Sequence, residues 1–183
     1  MLPVFITGNQ NKVDYLSETI GMVLPHRKID LDEIQSPDPI IVVEHKVRQA
    51  YDIIKKPVLV EDTLLGFNAL NGLPGTFVKF FVESQDGLQN MCRMLDGFDD
   101  RTAYASAMYA YYDGNDLKIF SGRLNGNISS SPRGNGGYGW DAIFEPEGYD
   151  GLTRAELNPE LDRESYDKIR DTESLKRFLQ EAK

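Results

Sequence analysis

Short apolar runs and alternating stretches predict the strands of this chain. Residues 2–6 and residues 58–60 are continuous apolar runs, each typical of a buried strand. Residues 28–34 alternate apolar and polar side chains, which predicts a further strand at the edge of a sheet. Residues 102–112 are largely apolar on both faces and predict a long strand that is covered on both sides.

Apolar residues three or four positions apart predict helices between and after these strands. The first helix follows residues 2–6, and its buried face is expected to contain Val13, Leu16, Ile20 and Val23. Residues 40–55 and residues 88–95 have the same helical spacing. The charged tail, residues 160–183, is predicted to be helical and to dock through Leu175, Phe178 and Leu179.

A hairpin turn is predicted at residues 113–116, after the long strand. Residues 117–120 and residues 122–130 are then expected to add two more strands and complete a meander, and residues 140–144 predict a later strand. Because strands and helices alternate early and a meander follows, the predicted fold class is α/β with a mixed sheet. The length of 183 residues favours a single domain over residues 1–183.

Composition and charge narrow the classes of protein. The 40% apolar content predicts a globular protein, and no apolar stretch is long enough for a membrane span. The net charge of −9 argues against binding polymeric nucleic acid, although it permits a nucleotide site. Cys92 is the single cysteine, which excludes an internal disulfide, and His26 and His45 lack partners for a zinc site. The first residues do not resemble a signal peptide, so a cytoplasmic location is expected.

Two adjacent carboxylates follow the apolar run at residues 58–60. Glu61, Asp62 and the hydroxyl of Thr63 are predicted at the C-terminal end of that strand, where open α/β sheets tend to bind ligands. Two carboxylates at such a place are suited to holding Mg²⁺ and to taking a proton from water. The alternative is an ordinary acidic turn at the surface.

The turn after residues 2–6 contains Thr7, Gly8 and Asn9, and Lys12 lies in the first turn of the predicted helix. A strand followed by a glycine-containing turn and a helix directs backbone N–H groups at an anion, and Lys12 adds a positive charge. The alternative is that Thr7 or Asn9 only caps the helix. Both interpretations stay open, because the spacing does not match a Walker motif.

A glycine-rich stretch, residues 131–141, contains a second group of candidates. Tyr138 or Trp140 is suited to stacking on a base, and Asp141 is suited to accepting hydrogen bonds from base N–H groups. The alternative, which we favour for Trp140, is that the aromatic side chain packs in the core.

Two lysines have a simple and a functional interpretation. Lys46 falls off the apolar face of its predicted helix, and Lys79 lies between phenylalanines at positions 77, 80 and 81. Both are most simply solvent-exposed lysines. Lys79 is also suited to reaching a phosphate.

Three separated motifs carry a resemblance to a known family. They are Thr7-Gly8-Asn9 with Lys12, then Val60-Glu61-Asp62-Thr63 with residues 68–75, and then Ser131-Pro132-Arg133-Gly134 with Tyr138-Gly139-Trp140-Asp141. In this order they resemble the inosine triphosphate pyrophosphatase family over nearly the whole chain. The resemblance implies an elongated fold of two lobes, with a long mixed sheet, flanking helices and a central cleft. It also implies a homodimer that uses Mg²⁺ to hydrolyse inosine, deoxyinosine and xanthosine triphosphates to the nucleoside monophosphate and pyrophosphate, which cleanses the nucleotide pool.

The resemblance implies a role for each matching residue. Substrate binding would involve Thr7, Gly8, Asn9, Lys12, Lys46, Thr63, Tyr138, Gly139, Trp140, Asp141 and Lys168. Within this set Tyr138 would stack on the base and Asp141 would contact its edge. Glu33 and Asp62 would bind the metal. Asp62 would activate water, with Glu61 beside it and Lys79 facing the phosphates.

The chain departs from the family pattern near its C-terminus. After Ala155-Glu156-Leu157 the family usually has a lysine and later a Ser-His-Arg triplet that helps to read the 6-keto group of the base. Aligned without gaps, Asp162 replaces the lysine and Tyr166-Asp167-Lys168 replaces the triplet. With one gap the match is Ser165-Tyr166-Asp167, and in both alignments the histidine and the arginine are missing. Lys168, Arg163 or Arg170 is a candidate to supply the lost charge. Three hypotheses therefore stay open: a selective pyrophosphatase, the same chemistry with relaxed or shifted base preference, and an inactive nucleotide-binding homologue.

Overall fold

The computed structural model describes residues 2–181, in which helices flank a seven-stranded sheet. The strands are β1 (Val4–Ile6), β2 (His26–Arg27), β3 (Val58–Phe67), β4 (Pro74–Gly75), β5 (Thr102–Tyr112), β6 (Leu117–Ile128) and β7 (Phe144–Pro146). The helices are α1 (Gln10–Ile20), α2 (Pro39–Ile54), α3 (Val78–Val82), α4 (Gly87–Arg93), α5 (Pro159–Lys168) and α6 (Thr172–Glu181). No helix between residues 2 and 181 combines the length and the apolar character that crossing a bilayer requires.

The sheet is mixed, which confirms the predicted fold class. Its strand order is β2-β1-β3-β5-β6-β7, with β4 paired to β3. The first three strands of this order are parallel, whereas β4 runs antiparallel to β3 and β7 runs antiparallel to β6. The described chain divides into two compact units. Unit 1 contains residues 2–62, 107–121 and 170–181, and unit 2 contains residues 63–106 and 122–169.

In unit 1 the parallel strands β1 and β3 are buried between helices on both faces. Phe5 and Leu59 point to one face, where they pack in a cluster with apolar residues of α1 and α6. Their sequence neighbours Ile6, Val58 and Val60 point to the other face and pack with α2. The continuous apolar runs of these strands follow from this arrangement, because both faces are covered.

Helix boundaries follow the local capping residues. The side chain of Asp38 caps α2 and Pro39 occupies its first turn, so the prediction for residues 40–55 is confirmed. The prediction that α1 buries Val23 is wrong. Gly21 adopts a left-handed φ of 67° and ends the helix, and Val23 is 82% exposed.

Four strand predictions require correction. Residues 28–34 do not form the predicted strand, and only His26–Arg27 pairs in the sheet. The backbone N–H of Asp32 instead donates a hydrogen bond to the side chain of Gln49 at 2.8 Å. Strand β3 continues through the two carboxylates to Phe67, so Glu61 and Asp62 lie in its middle and not at its end. The two strands predicted over residues 117–130 are the single strand β6, and residues 140–143 form turns before β7.

The helical tail is confirmed as two helices, α5 and α6, and its predicted end at residues 182–183 lies outside the described residues. Leu175 and Leu179 are buried and Phe178 packs beside them, as predicted. The elongated shape, the central cleft and the single domain over residues 1–183 stay predictions.

Candidate active site

Unit 1 contains a cavity of about 200 Å³ whose wall carries many of the predicted site residues. Its polar lining residues are Thr7, Gly8, Lys12, Glu33, Lys46 and Glu61. They come from the turn after β1, from α1 and α2, from the segment before α2, and from β3. The wall therefore combines two lysines with two glutamates, a balance that suits a ligand carrying both phosphates and a metal ion.

Asn9, in the turn between β1 and α1, caps the helix, which was one of the two alternatives predicted for this turn. Asn9 Oδ1 accepts a hydrogen bond from the backbone N–H of Asn11 at 3.0 Å. The N–H of Asn9 donates to Thr7 Oγ1 at 3.1 Å. Thr7 and Gly8 line the cavity beside this cap. Asn9 also accepts hydrogen bonds through its carbonyl oxygen, from the N–H groups of Lys12 at 3.2 Å and Val13 at 3.4 Å. The capping alternative is therefore confirmed, and an anion site at this turn stays a prediction.

Glu61 is a buried carboxylate held by two cations. Its Oε1 accepts hydrogen bonds from Arg170 Nε at 3.2 Å and Nη2 at 2.7 Å, and its Oε2 lies 3.5 Å from Lys12 Nζ. The side chain of Glu61 is only 2% exposed. Burial raises the pKa of Glu61, but Arg170 and then Lys12 lower it by more, so the pKa lies below its ordinary value. Glu61 is therefore ionised in the folded protein.

Asp62 lies next to Glu61 on β3 and is engaged by Lys46. Lys46 Nζ donates to Asp62 Oδ1 at 3.1 Å and to the carbonyl oxygen of Glu61 at 3.4 Å. The side chains of Lys46 and Asp62 are 22% and 28% exposed. The simple interpretation of Lys46 as a solvated lysine is wrong, because α2 directs it onto β3. Asp62 is the more accessible of the two adjacent carboxylates and remains within reach of water.

Glu33 brings a second carboxylate to the cavity wall from the irregular segment before α2. Within residues 2–181, no three His, Cys, Asp or Glu side chains form a metal site by themselves. Mg²⁺ is commonly bound by one or two carboxylates together with substrate phosphates. Glu33 lines the cavity, whereas Asp62 is not among its lining residues and reaches it only through its contact with Lys46. The assignment of Glu33 and Asp62 to a metal ion stays a prediction.

In unit 2 the glycine-rich loop presents Tyr138 and buries Asp141. The side chain of Tyr138 is 88% exposed. Its backbone N–H donates to Asp141 Oδ2 at 2.7 Å, and Asp141 Oδ1 accepts a hydrogen bond from Arg154 Nη1 at 2.6 Å. Gly137 has a φ of 72°, and a Cβ there would lie only 2.6 Å from the Asp141 side chain, so glycine is required. Trp140 packs edge-on against the buried Phe144 but is itself only half-buried, so the prediction that it packs in the core is met only in part.

The remaining predicted residues of unit 2 lie on three elements. Thr63 is half-buried on β3, Gly139 lies in the glycine-rich loop, and Lys79 is exposed on α3. Lys168 lies in the last turn of α5, where it binds Glu164 at 2.6 Å and lies over the ring of Tyr149. The candidate Arg163 lies 3.9 Å from Asp167 on the same helix.

Comparison with known proteins identifies the family. The profile of the Ham1 family matches residues 3–177. The chain belongs to the Ham1 family. An inosine triphosphate pyrophosphatase of Batrachochytrium dendrobatidis is 41% identical over 181 residues, which cover 97% of this chain and 93% of the relative. Inosine triphosphate pyrophosphatase 2 of Trypanosoma cruzi is 46% identical over 158 residues, or 85% of this chain and 80% of the relative.

Solved structures of Ham1 proteins share the fold. The Staphylococcus aureus Ham1 protein superposes with a TM-score of 0.85 at 22% identity, and the match covers 100% of both chains. The family model and the sequence relatives confirm the resemblance inferred from the three motifs.

The sequence did not predict the structural roles of two buried arginines, Arg154 and Arg170. Arg154 is buried and binds Asp141, Asp162 and Ser165. Arg170, considered above as a base-reading cation, is buried against Glu61 in unit 1. No local pattern marks Arg154, because its partners Asp141 and Asp162 lie 13 and 8 residues away along the chain.

Proposed function

We propose that this protein hydrolyses inosine, deoxyinosine and xanthosine triphosphates to the nucleoside monophosphate and pyrophosphate, and so cleanses the nucleotide pool. The observation that carries the proposal is the Lys46–Asp62 pair beside a cavity lined by Lys12, Glu33 and Glu61. The names of the relatives, which cover most of both chains, support the same activity.

The phosphates of the substrate would bind to the turn after β1 and to nearby lysines. Thr7, Gly8 and Asn9 offer hydroxyl, backbone and amide groups at the N-terminus of α1, where the helix dipole favours anions. Lys12 and Lys46 add positive charge at the cavity. Lys79, exposed on α3, is proposed as a further phosphate-facing lysine.

Mg²⁺ would be held by Glu33 and Asp62 together with the phosphates. When bound, the ion neutralises charge on the phosphates and makes the phosphorus more electrophilic. Lys46 holds Oδ1 of Asp62 in place, and we propose that the Asp62 carboxylate accepts the proton of the attacking water. The water oxygen forms a bond to the α-phosphorus, the bond from that phosphorus to the bridging oxygen breaks, and pyrophosphate leaves. Glu61 supports this arrangement from the next position of β3.

The base would stack on Tyr138, which the glycine-rich loop exposes. Gly139, Trp140 and Asp141 shape this loop, and both carboxylate oxygens of Asp141 accept hydrogen bonds from the protein. We therefore assign Asp141 mainly to holding the loop and not to a direct contact with the base. Thr63 and Lys168 complete the proposed substrate-binding set.

A relaxed or shifted base preference is the second candidate. Lys168, proposed to replace the lost arginine, is bound to Glu164 and covers Tyr149. Asp162, at the position of the family's lysine, is bound to Arg154. Lys168 therefore shares its charge with Glu164, and Asp162 is an anion that cannot donate to a 6-keto group. A homodimer and a cytoplasmic location are proposed on the resemblance alone.

The test is release of pyrophosphate with Mg²⁺ from inosine, xanthosine, guanosine, adenosine and thymidine triphosphates. A large preference for inosine and xanthosine triphosphates is expected of the first proposal, and similar rates on all five are expected of the second. Nucleotide binding without any release would contradict both and would identify an inactive binding homologue.

A further inference from the structure

Arg170 is buried at the site and belongs to none of the sequence motifs. Its side chain is 3% exposed, and its guanidinium binds Glu61 Oε1 through both Nε and Nη2. The guanidinium carbon lies 5.6 Å from the centre of the Tyr15 ring on α1, which is within the range of a cation–π interaction. Arg170 also precedes α6 directly, and α6 is anchored in the core by Leu175 and Leu179. Its position is therefore firmly fixed.

The two cations around Glu61 are engaged very differently. Arg170 makes a two-pronged contact with a shortest distance of 2.7 Å, whereas Lys12 Nζ lies 3.5 Å from Oε2. A distance of 3.5 Å is longer than the usual 2.7–2.9 Å of a charge-assisted hydrogen bond. Lys12 is also 28% exposed and lines the cavity, whereas Arg170 does not line it. The charge of Glu61 is therefore balanced mainly by Arg170, and Lys12 is only loosely held.

We infer that Arg170 is a positioning residue: it neutralises Glu61 from behind, so that the charge of Lys12 stays available for the phosphates of a ligand. This inference rests on the proposed function, in that it assigns phosphates to the cavity. Without Arg170, Glu61 would have Lys12 as its nearest cation in the cavity. Lys12 would then move onto the carboxylate, and the cavity would lose one positive charge.

The test uses inorganic tripolyphosphate as the probe, with calorimetry in the presence of a metal chelator. In Arg170→Gln a neutral amide can still donate to Glu61, but the charge is gone. We expect it to bind tripolyphosphate roughly tenfold more weakly than the wild type, which is the effect of one nearby charge in a partly screened site. Arg170→Lys keeps the charge and is expected to bind nearly as well as the wild type.

The double variant Glu61→Gln/Arg170→Gln removes both charges and is expected to restore binding to within about threefold of the wild type. A purely structural role for Arg170 predicts no such restoration, because the double variant lacks the same contact. Arg177→Ala is the matched control: it removes an arginine of α6 that is exposed to solvent, and its affinity should be unchanged. Thermal melts confirm that each variant is folded.

If Arg170→Gln does not fold, the comparison of Glu61→Gln with the double variant gives the same test. Glu61→Gln should bind tripolyphosphate more tightly than the double variant by a similar factor, because it loses the negative charge of Glu61 but keeps the positive charge of Arg170. Wild-type affinity in Arg170→Gln, or a double variant as weak as that single variant, would overturn the inference. A charge effect on tripolyphosphate without pyrophosphate release from any nucleotide would keep this inference and reject the proposed function. Pyrophosphate release without the charge effect would keep the proposed function and reject this inference.

Discussion

The ammonium group of Lys46 lies 3.1 Å from Oδ1 of Asp62 and so joins α2 to β3 across the proposed catalytic position. The same ammonium group reaches the carbonyl oxygen of Glu61 at 3.4 Å. Two contacts to consecutive residues fix the orientation of the Asp62 carboxylate, because its rotation would break the contact at Oδ1. A fixed and partly exposed carboxylate is what proton transfer from a bound water requires.

Asp62→Asn should therefore abolish turnover while leaving the fold intact. The amide keeps the shape and the contact with Lys46 but cannot accept the proton of water. We expect pyrophosphate release from inosine triphosphate to fall by at least about 100-fold, the usual contribution of a general base. Asp52→Asn is the control, because Asp52 is 74% exposed in a surface pair with Lys55. Near wild-type release by a folded Asp62→Asn protein would reject this assignment.

Tyr138→Ala should weaken binding of the nucleotide without affecting the fold. The side chain is 88% exposed, so its removal costs little stability. Stacking on an aromatic ring contributes about 1–3 kcal/mol per base, so KM for inosine triphosphate should rise roughly tenfold or more. Tyr138→Phe keeps the ring and should behave like the wild type. Affinity for inorganic tripolyphosphate should not change in either variant, and a parallel loss there would contradict a role in base binding.

The elements that the sequence predicted well are those whose pattern is local. Helix α2 was predicted within one residue at each end, because regular apolar spacing coincides with a capping aspartate and a proline. Strand β5 was predicted with its correct bounds, because both faces of residues 102–112 are apolar. In both cases the burial pattern and the end signals point to the same element.

The failures concern contacts between distant parts of the chain. Residues 28–34 alternate like a strand, but Gln49 binds Asp32 and takes the place of a ladder partner. Glu61 was identified as a site residue, yet its partner Arg170 lies 109 residues further along the chain. Periodicity reports which face of an element is buried. It does not report which distant side chain meets a buried charge.

Acid should weaken the anchor of the glycine-rich loop in unit 2. Glu156 accepts hydrogen bonds from the Thr153 N–H at 2.8 Å and from Arg133 Nε at 3.1 Å. The Thr153 N–H, followed by Arg133, lowers the pKa of Glu156 from its ordinary value of 4.5, against a raising effect of burial. A carboxylate with a lowered folded pKa stabilises the protein above pH 4.5, and that contribution is lost as the pH falls through the folded pKa.

Glu156→Gln should therefore lower the melting temperature at neutral pH by about 2–4 °C, as expected for loss of a capping contact. The gap between wild type and variant should shrink as the pH falls below 4.5. Thermal melts over this range provide the measurement. Glu147→Gln, at an exposed position of unit 2, should show no gap at any pH. A gap that persists unchanged in acid would show that the carboxylate charge is not the cause.

Arg154 should be among the least replaceable side chains of unit 2. It is 4% exposed, and its guanidinium contacts Asp141 and Asp162 at 2.6 Å each and Ser165 at 2.9 Å. Arg154→Met fills a similar volume but leaves the carboxylate of Asp141 buried without its cation. Breaking a buried pair from one side typically costs about 3–5 kcal/mol, and urea unfolding should show a loss of that size.

Removing the charge of Asp162 should cost less free energy of unfolding than removing Arg154. Asp162 is 36% exposed, so Asp162→Asn should cost about 1 kcal/mol or less. Arg93→Met, at an exposed position on α4, is the control and should change the unfolding free energy little. Since Asp141 also binds the backbone of Tyr138, Arg154→Met should raise KM for inosine triphosphate in whatever fraction remains folded. Equal costs for Arg154→Met and Arg93→Met would mean that the buried network contributes nothing, and the loop would then owe its shape to its glycines.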